Sequence, residues 1–200
     1  MFEKRLAGVA PETPLALGDF ASFRAYSRAR DGTLLYQASQ ILGGPPDLWV
    51  LPGSRAGQPV RFMETQFSEF QARLSPDERW VAYTSDRSES NEAYVTSFPR
   101  AGEEVRVSAS GGTSVRWRRD GRELFFMSAN HTLMAAEVDG TGAEFKIGAV
   151  RPLFDLFTGG QRYPYDVSAD GQRFIVNLFS QISPQQPITV VVNWTAGLKK

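Results

Sequence analysis

The chain of 200 residues contains no cysteine and a single histidine, His131. The lack of cysteine excludes disulfide bonds, thiolate metal sites and a cysteine nucleophile. A zinc site draws mostly on Cys and His ligands, and a serine triad usually needs a histidine that an acid positions. The composition therefore argues against thiol, zinc and most triad chemistry before any motif is considered.

The sequence also lacks an excess of charge and long apolar runs. Its 22 basic residues balance 22 acidic residues, so nothing draws it electrostatically to nucleic acid or anionic lipid. The longest strongly apolar run near its end, 188–192, is far shorter than a membrane span. The first twenty residues have no apolar core of the kind found in signal peptides. We expect no nucleic-acid partner, no direct membrane insertion and no cofactor, and any signal or anchor would lie on sequence beyond this chain.

The chain does contain an internal repeat. The segments SRARDGTLLYQAS, RLSPDERWVAYTS, RWRRDGRELFFMS and DVSADGQRFIVNL align on Asp31, Asp77, Asp120 and Asp170. The intervals between these aspartates are 46, 43 and 50 residues. Spacing of this length is typical of a four-stranded propeller blade rather than of a helical repeat.

The residue after each aspartate predicts a tight hairpin. Three repeats have glycine there, and Asp-Gly suits a turn in which one residue must take a positive φ. The second repeat has Glu78 instead. Its turn is therefore expected to be of another type or mildly strained.

Apolar and polar residues alternate around these turns as in β-strands. Each repeat is predicted to have one strand before the aspartate, one strand after it and a third strand further along the chain. The first three repeats also have a predicted fourth strand. The strands after the aspartates cover 34–36, 80–83, 124–126 and 174–176. The third and fourth strands cover 47–51, 93–98, 133–138, 188–192, 60–63, 105–108 and 150–154.

The pattern predicts an all-β fold, a β-propeller of about four blades with four antiparallel strands each. The blades cover roughly 20–63, 67–108, 112–155 and 162–194. The last blade lacks a fourth strand, and residues 13–19 are a candidate to supply it and close the ring. The alternatives are a closed four-blade ring, a part of a larger ring, which we favour, and self-association with a second copy.

With these turns in view, the segments LSPDERWVAYTSDRSESNEAYVTSFP, RWRRDGRELFFMSANHTLMAAEV and YDVSADGQRFIVN resemble the repeats of TolB-like β-propellers. Together with the terminal ITVVVNWTAGLKK, they are most similar to the C-terminal propellers of membrane-anchored bacterial serine/threonine kinases of the acidobacterial type. The resemblance runs from about Arg30 to Lys200. It implies a sensor or interaction module on the extracytoplasmic side of a membrane.

The chain itself carries no kinase motif, because GxGxxG, VAIK, HRD and DFG are all missing from its sequence. We therefore predict a non-catalytic binding, sensor or scaffold module that recognises a protein or a ligand. Two alternatives remain: the propeller of a prolyl-oligopeptidase-type serine hydrolase, whose G-x-S-x-G elbow would lie on another domain, or a stand-alone TolB-like envelope scaffold.

Three charged residues are the candidate ligand contacts. Arg73, Arg116 and Asp166 share one polar column of the strands that precede the aspartates, so they could line a central channel. Arginine beside tryptophan, as in RWRR, favours anionic or aromatic partners. Charges paired across blades would explain the same column without a ligand, and this structural explanation is the stronger one.

Other candidates are weaker. His131 lies in a predicted surface turn, and the serines of SASGGTS at 108–114 form no G-x-S-x-G nucleophile elbow. The loop 139–144 has too few acids for a calcium site. The glycine pairs 43–44, 111–112 and 159–160 lack the lysine of a phosphate-binding loop and are predicted to be connections. We expect specificity to reside in the loops 39–46, 85–92 and 157–163.

Overall fold

The computed structural model describes residues 2–3, 13–14, 17–53, 57–157, 164–178 and 190–192. All the regular secondary structure in these residues is β-strand, which confirms the all-β prediction. Within the same residues, no helix is long and apolar enough to cross a membrane.

The strands form one short pair and four antiparallel sheets. β1 (Phe2–Glu3) pairs with β2 (Thr13–Pro14). Blade 1 contains β3 (Ser22–Arg28), β4 (Leu34–Ser39), β5 (Asp47–Leu51) and β6 (Val60–Arg61). Blade 2 contains β7 (Glu69–Leu74), β8 (Trp80–Ser85), β9 (Glu92–Ser97) and β10 (Val105–Arg106). Blade 3 contains β11 (Thr113–Trp117), β12 (Glu123–Met127), β13 (Thr132–Asp139) and β14 (Lys146–Asp155). Blade 4 contains β15 (Tyr165–Val167), β16 (Arg173–Val176) and β17 (Val190–Val192).

These sheets confirm a propeller architecture. Within each blade the strands neighbour one another in chain order, as in a blade built by successive hairpins. The predicted strands fall on observed ones, except that 188–189 lie outside the described residues. The blade boundaries drawn from the sequence stay a prediction.

Blades 2 and 3, which each pack between two other blades, are buried on both faces. Along β8, Val81 and Tyr83 belong to the apolar cluster shared with blade 1, whereas Trp80 and Ala82 belong to the cluster shared with blade 3. All six residues of β8 are consequently buried. In a sheet with one face in water, buried and exposed residues alternate along each strand. β8 has no such alternation, because neither face of its sheet meets water.

The outer face of blade 1 is covered by the segment that precedes it. Leu17 is buried against Tyr36 and Leu51, and its carbonyl accepts a hydrogen bond of 3.0 Å from the Tyr36 hydroxyl. Upstream, Thr13–Pro14 pairs with Phe2–Glu3 rather than with a described strand of blade 4. Residues 15–16 lie outside the described part of the chain, so the ring-closing role of 13–19 stays a prediction.

The aspartate of each repeat organises its hairpin in the same way. In all four turns the carboxylate Oδ1 accepts a hydrogen bond from the backbone N–H two residues later. The residue after the aspartate donates its N–H to the carbonyl three residues before it and has a positive φ. The aspartate therefore holds the backbone in a turn whose last residue is left-handed.

Glu78 adopts the same turn as the glycines of the other repeats. Its φ of 61° lies in the left-handed region, so the expected alternative of a different turn type is wrong and the expectation of strain is right. Its side chain contacts blade 1, because Oε1 accepts a hydrogen bond of 2.8 Å from the backbone N–H of Arg30. A glycine could not make this bond between blades.

Two glutamates are buried in blade 2, on strands that flank β8. Glu69 and Glu92 both lie opposite Ser85, and both are almost completely buried. Burial raises the pKa of Glu69 to about 6, against hydrogen bonds from Thr65 and Ser85 that act to lower it. Its Oε2 atom is buried without a hydrogen-bond partner.

Glu92 has the opposite electrostatic balance. Burial acts to raise its pKa, but hydrogen bonds from the Ser108 hydroxyl and the Gly111 N–H, together with the Arg106 guanidinium, outweigh it and lower the pKa. The Arg106 Nη2 atom lies 2.8 Å from Glu92 Oε1. Glu92 is thus stabilised as a carboxylate, whereas burial makes Glu69 easier to protonate than an ordinary glutamate.

We predict that Glu78→Ala lowers the free energy of unfolding by about 1 kcal/mol, because it loses the bond to Arg30 and keeps the left-handed backbone. Glu78→Gly loses the same bond but removes the strain, so its stability should lie within about 0.5 kcal/mol of the wild type. Urea denaturation measures both. Glu89→Ala is the control, since Glu89 has a φ of 64° and its side chain makes no bond within the described residues. A Glu78→Ala variant as stable as the wild type would contradict this account.

Stability should also depend on pH through Glu69. The pKa of Glu69 in the folded protein is about 6, above the ordinary 4.5. The stabilisation that comes from its protonation is therefore fully present below pH 4.5 and is lost as the pH rises through about 6. Between pH 4.5 and pH 8, Glu69→Gln should therefore gain about 2 kcal/mol relative to the wild type, measured by denaturation at each pH. The control Glu92→Gln should be less stable than the wild type at pH 8, with a gap that narrows in acid. A pH-independent difference for Glu69→Gln would contradict the assignment.

Candidate functional site

The first strands of successive blades form the inner wall of the structure. β3 packs against β7, β7 against β11, and β11 against β15, while the fourth strands lie at the outer edges of their sheets. The polar column predicted from the sequence falls on this wall. The structure therefore brings Arg73, Arg116 and Asp166 onto adjacent inner strands, as expected from the repeat register.

Arg116 and Asp166 contact each other across blades 3 and 4. The Arg116 Nε atom lies 3.4 Å from Asp166 Oδ1, and its guanidinium carbon lies 5.8 Å from the centre of the Tyr165 ring. The Tyr165 hydroxyl is buried without a hydrogen-bond partner, and burial raises the pKa of that group. The pair connects two blades in the manner of a structural ion pair.

Arg73 connects blade 2 to blade 1. Its Nη1 atom donates a hydrogen bond of 2.9 Å to the carbonyl of Tyr26, and its guanidinium carbon lies 5.4 Å from the centre of the Tyr26 ring. Its own carbonyl accepts a bond of 3.0 Å from Trp117 Nε1 of blade 3. These contacts favour the structural explanation of the polar column. A ligand role for Arg73, Arg116 and Asp166 stays a prediction.

Two bulges on the inner wall contain left-handed residues that were not predicted from the sequence. Gln71 and Ser114 have φ values of 56° and 57°, and the strand register shifts around each of them. They contact each other between blades, because the Ser114 N–H donates a bond of 2.7 Å to Gln71 Oε1. A left-handed residue without glycine leaves no signature in the repeat, so sequence alone gave no means of finding them.

The described residues of the loops expected to carry specificity lie at one end of the blades, which we call the loop end. Connections between blades bond to the turns there: the Glu69 N–H donates to the Pro46 carbonyl and the Gly112 N–H to the Asn91 carbonyl. At this end Ile41 and Leu42 are 71% and 82% exposed. Of the loop 157–163, the described residue Phe157 is also exposed, and 158–163 lie outside the described residues.

A pocket of about 360 Å³ opens at the loop end between blades 1 and 2. It is lined by Arg24, Tyr26, Gln37, Pro46, Ser68, Phe70, Gln71 and Asp86. The pocket lining includes the bulge at Gln71 and Pro46, which lies at the end of the loop that carries Ile41 and Leu42. It was not identified from the sequence, since its residues come from two repeats and share no motif.

A larger groove of about 920 Å³ lies at the opposite end, between blades 2 and 3. Its charges are largely engaged within the chain: Arg118 lies 2.6 Å from both Asp120 and Glu123. Trp80 is buried, and its Nε1 atom donates a bond of 3.0 Å to the Gly140 carbonyl.

His131 lies in an exposed turn, where its φ is 62° and its ring centre is 6.0 Å from that of Phe157. This is the surface turn predicted from the sequence. The glycine pairs 43–44 and 111–112 lie in connections, as predicted, whereas 159–160 fall outside the described residues. Among the described residues, no group of three His, Asp or Glu side chains could hold a metal ion.

No protein-family model and no curated protein matches the chain. Solved structures are similar to it in fold. A protein assigned as TolB from Agrobacterium tumefaciens is 19% identical with a TM-score of 0.66, over 88% of this chain and 61% of that chain. TolB from Acinetobacter baumannii is 22% identical with a TM-score of 0.57, over 77% of this chain and 37% of that chain.

A prolyl endopeptidase is 15% identical with a TM-score of 0.50, over 79% of this chain and 26% of that chain. This chain therefore covers less than two thirds of the length of each of these neighbours. At such identities the likeness concerns the fold alone: the chain has the fold of part of a TolB-like β-propeller.

Proposed function

We propose that this chain is a non-catalytic recognition module that binds a protein partner or a ligand at its loop end. The observation that carries the proposal is the exposure of Ile41 and Leu42, two adjacent large apolar side chains at the tip of a hairpin. The stem of this hairpin, β4 and β5, is fixed by the sheet of blade 1. Apolar side chains presented on a rigid frame are typical of interaction surfaces.

The finer proposal is that this module is the propeller part of a receptor-like serine/threonine kinase and lies on the extracytoplasmic side of a membrane. The sequence resemblance stated above supports it. In that setting a partner bound at the loop end would be the signal, and the inner wall around Arg73, Arg116 and Asp166 would be a second contact region. Self-association that completes the ring is an alternative mode of partnership.

The second candidate is the propeller of a prolyl-oligopeptidase-type hydrolase, which the similarity to a prolyl endopeptidase favours; a stand-alone envelope scaffold is the third. The coding sequence around this chain separates them. A kinase domain with a membrane span supports the first proposal, a G-x-S-x-G hydrolase domain supports the second, and a signal peptide alone supports the third.

Recognition at the loop end predicts a site-specific cross-link. A photo-reactive amino acid at Leu42 should give a discrete adduct in cells of the source organism, because this side chain would lie against the partner. The same amino acid at Thr141, an exposed position at the opposite end, should not give that adduct. The partner is then purified, and its dissociation constant for the intact chain is measured.

The double variant Ile41→Ser, Leu42→Ser should weaken that binding by about tenfold or more, since each buried apolar side chain contributes on the order of 1.5 kcal/mol. Its thermal unfolding should match the wild type, because both side chains are exposed. Equal adducts from Leu42 and Thr141, or an unchanged dissociation constant in the double variant, would overturn a recognition role for this end.

A further inference from the structure

The pocket at the loop end contains one positively charged side chain, that of Arg24. Arg24 lies on β3, is half-buried, and lines the pocket beside Tyr26 and Phe70. Within the described residues its guanidinium has neither a hydrogen bond nor an ion pair. Asp86, the one acid of the pocket lining, is not within ion-pair distance of it, and Asp86 Oδ1 instead accepts a bond of 2.9 Å from the Ser68 N–H.

A half-buried guanidinium without an acceptor is unusual in this chain. The other half-buried arginines near the inner wall are engaged within the chain. Arg73 donates to the Tyr26 carbonyl of blade 1, and Arg116 donates to the carbonyl of Val115 on its own strand and pairs with Asp166. Removing a charge from water without a partner carries a cost in free energy. Arg24 bears that cost inside a pocket that is open to solvent, where an external acceptor could offset it.

Among the pocket residues around Arg24, Gln37 adds a donor, whereas the Asp86 carboxylate is an acceptor. Gln37 lies directly opposite Arg24 in the sheet, and its Oε1 atom accepts a hydrogen bond from the Tyr26 hydroxyl. This bond orients the amide so that its Nε2 donor has no acceptor within the described residues. On the far side, Gln71 Oε1 is occupied by the Ser114 N–H. The pocket thus presents a planar guanidinium and an amide donor beside two aromatic rings.

We propose that this pocket binds a carboxylate, with Arg24 as its bidentate partner and Gln37 as a second donor. A planar guanidinium matches the two oxygens of a carboxylate, and a volume of about 360 Å³ accommodates a side chain or a chain terminus rather than a whole cofactor. The carboxylate belongs to a peptide, as its C-terminus or as an acidic side chain. The loop that contributes Pro46 to the pocket also presents Ile41 and Leu42, so apolar residues next to that carboxylate would contact this tip.

This inference rests on the proposed recognition role of the loop end, but it is tested without the partner. The probes are N-acetyl-leucine, which has a terminal carboxylate, N-acetyl-glutamate α-amide, which has a side-chain carboxylate, and N-acetyl-leucinamide, which has none. Each is titrated at millimolar concentrations into the intact chain labelled with ¹⁵N. A carboxylate probe should shift the amide resonances around Arg24, Gln37 and Gln71, whereas the amide probe should not.

The Arg24→Gln variant should weaken binding of the carboxylate probe by about tenfold or more, the usual loss when a charged hydrogen-bond partner is removed. Its thermal unfolding should be unchanged, because the Arg24 side chain makes no hydrogen bond or ion pair within the described residues. Arg119→Gln, at an exposed position of the aspartate turn in blade 3, is the matched control and should bind as the wild type does. The stronger of the two carboxylate probes identifies the source of the carboxylate.

Two results would overturn the carboxylate site: shifts no larger with the carboxylate probes than with the amide probe, or equal binding by Arg24→Gln and the wild type. A failure of the carboxylate site can be told apart from a failure of the recognition role. If a partner cross-links at Leu42 but binds Arg24→Gln as tightly as the wild type, recognition stands and the carboxylate site fails. If the carboxylate probes bind while Leu42 gives no specific adduct, the site stands and protein recognition at the tip fails.

Discussion

Burial of one sheet against the next is the constraint on which this structure depends. A single four-stranded blade has two apolar faces and cannot cover either of them alone. Between blades 2 and 3, Trp80 and Val95 meet Leu124, Phe126 and Phe145 in one cluster. Removal of these faces from water is the main favourable term in the folding of each blade, so the blades are stable as neighbours rather than as separate units.

Polar groups on the inner strands then fix how the blades are aligned. Apolar contact is non-directional, so it favours stacking without setting the register of one blade on the next. The bond between Ser114 and Gln71 and the bond from Trp117 Nε1 to the Arg73 carbonyl each have one geometry. Gln71 also lines the pocket between blades 1 and 2, so the bond that aligns blade 3 on blade 2 also fixes one wall of the pocket around Arg24.

The repeat made the fold predictable, because its signals are local. An Asp-Gly turn, such as Asp120-Gly121, and the apolar run after it depend on neighbours in the chain. The Asp-Gly turn occurs in three repeats and the apolar run in all four. Features that depend on contacts between repeats were not predictable. Glu78, with its left-handed backbone, bonds to Arg30 of another blade. The raised pKa of Glu69 follows from a burial that no local sequence pattern indicates. The pocket around Arg24 likewise exists only once two blades are packed together.

The claim that the blades are stable only as neighbours is tested most directly by native-state hydrogen exchange. The buried amides of β8 in blade 2 and of β12 in blade 3 share one apolar cluster. If that cluster stabilises both blades together, these amides exchange through one common opening reaction. They then have the same free energy of opening, and denaturant lowers that free energy with the same slope for both strands. If β12 instead opens at a much lower free energy than β8, with a smaller slope, each blade is stable by itself and the account is contradicted.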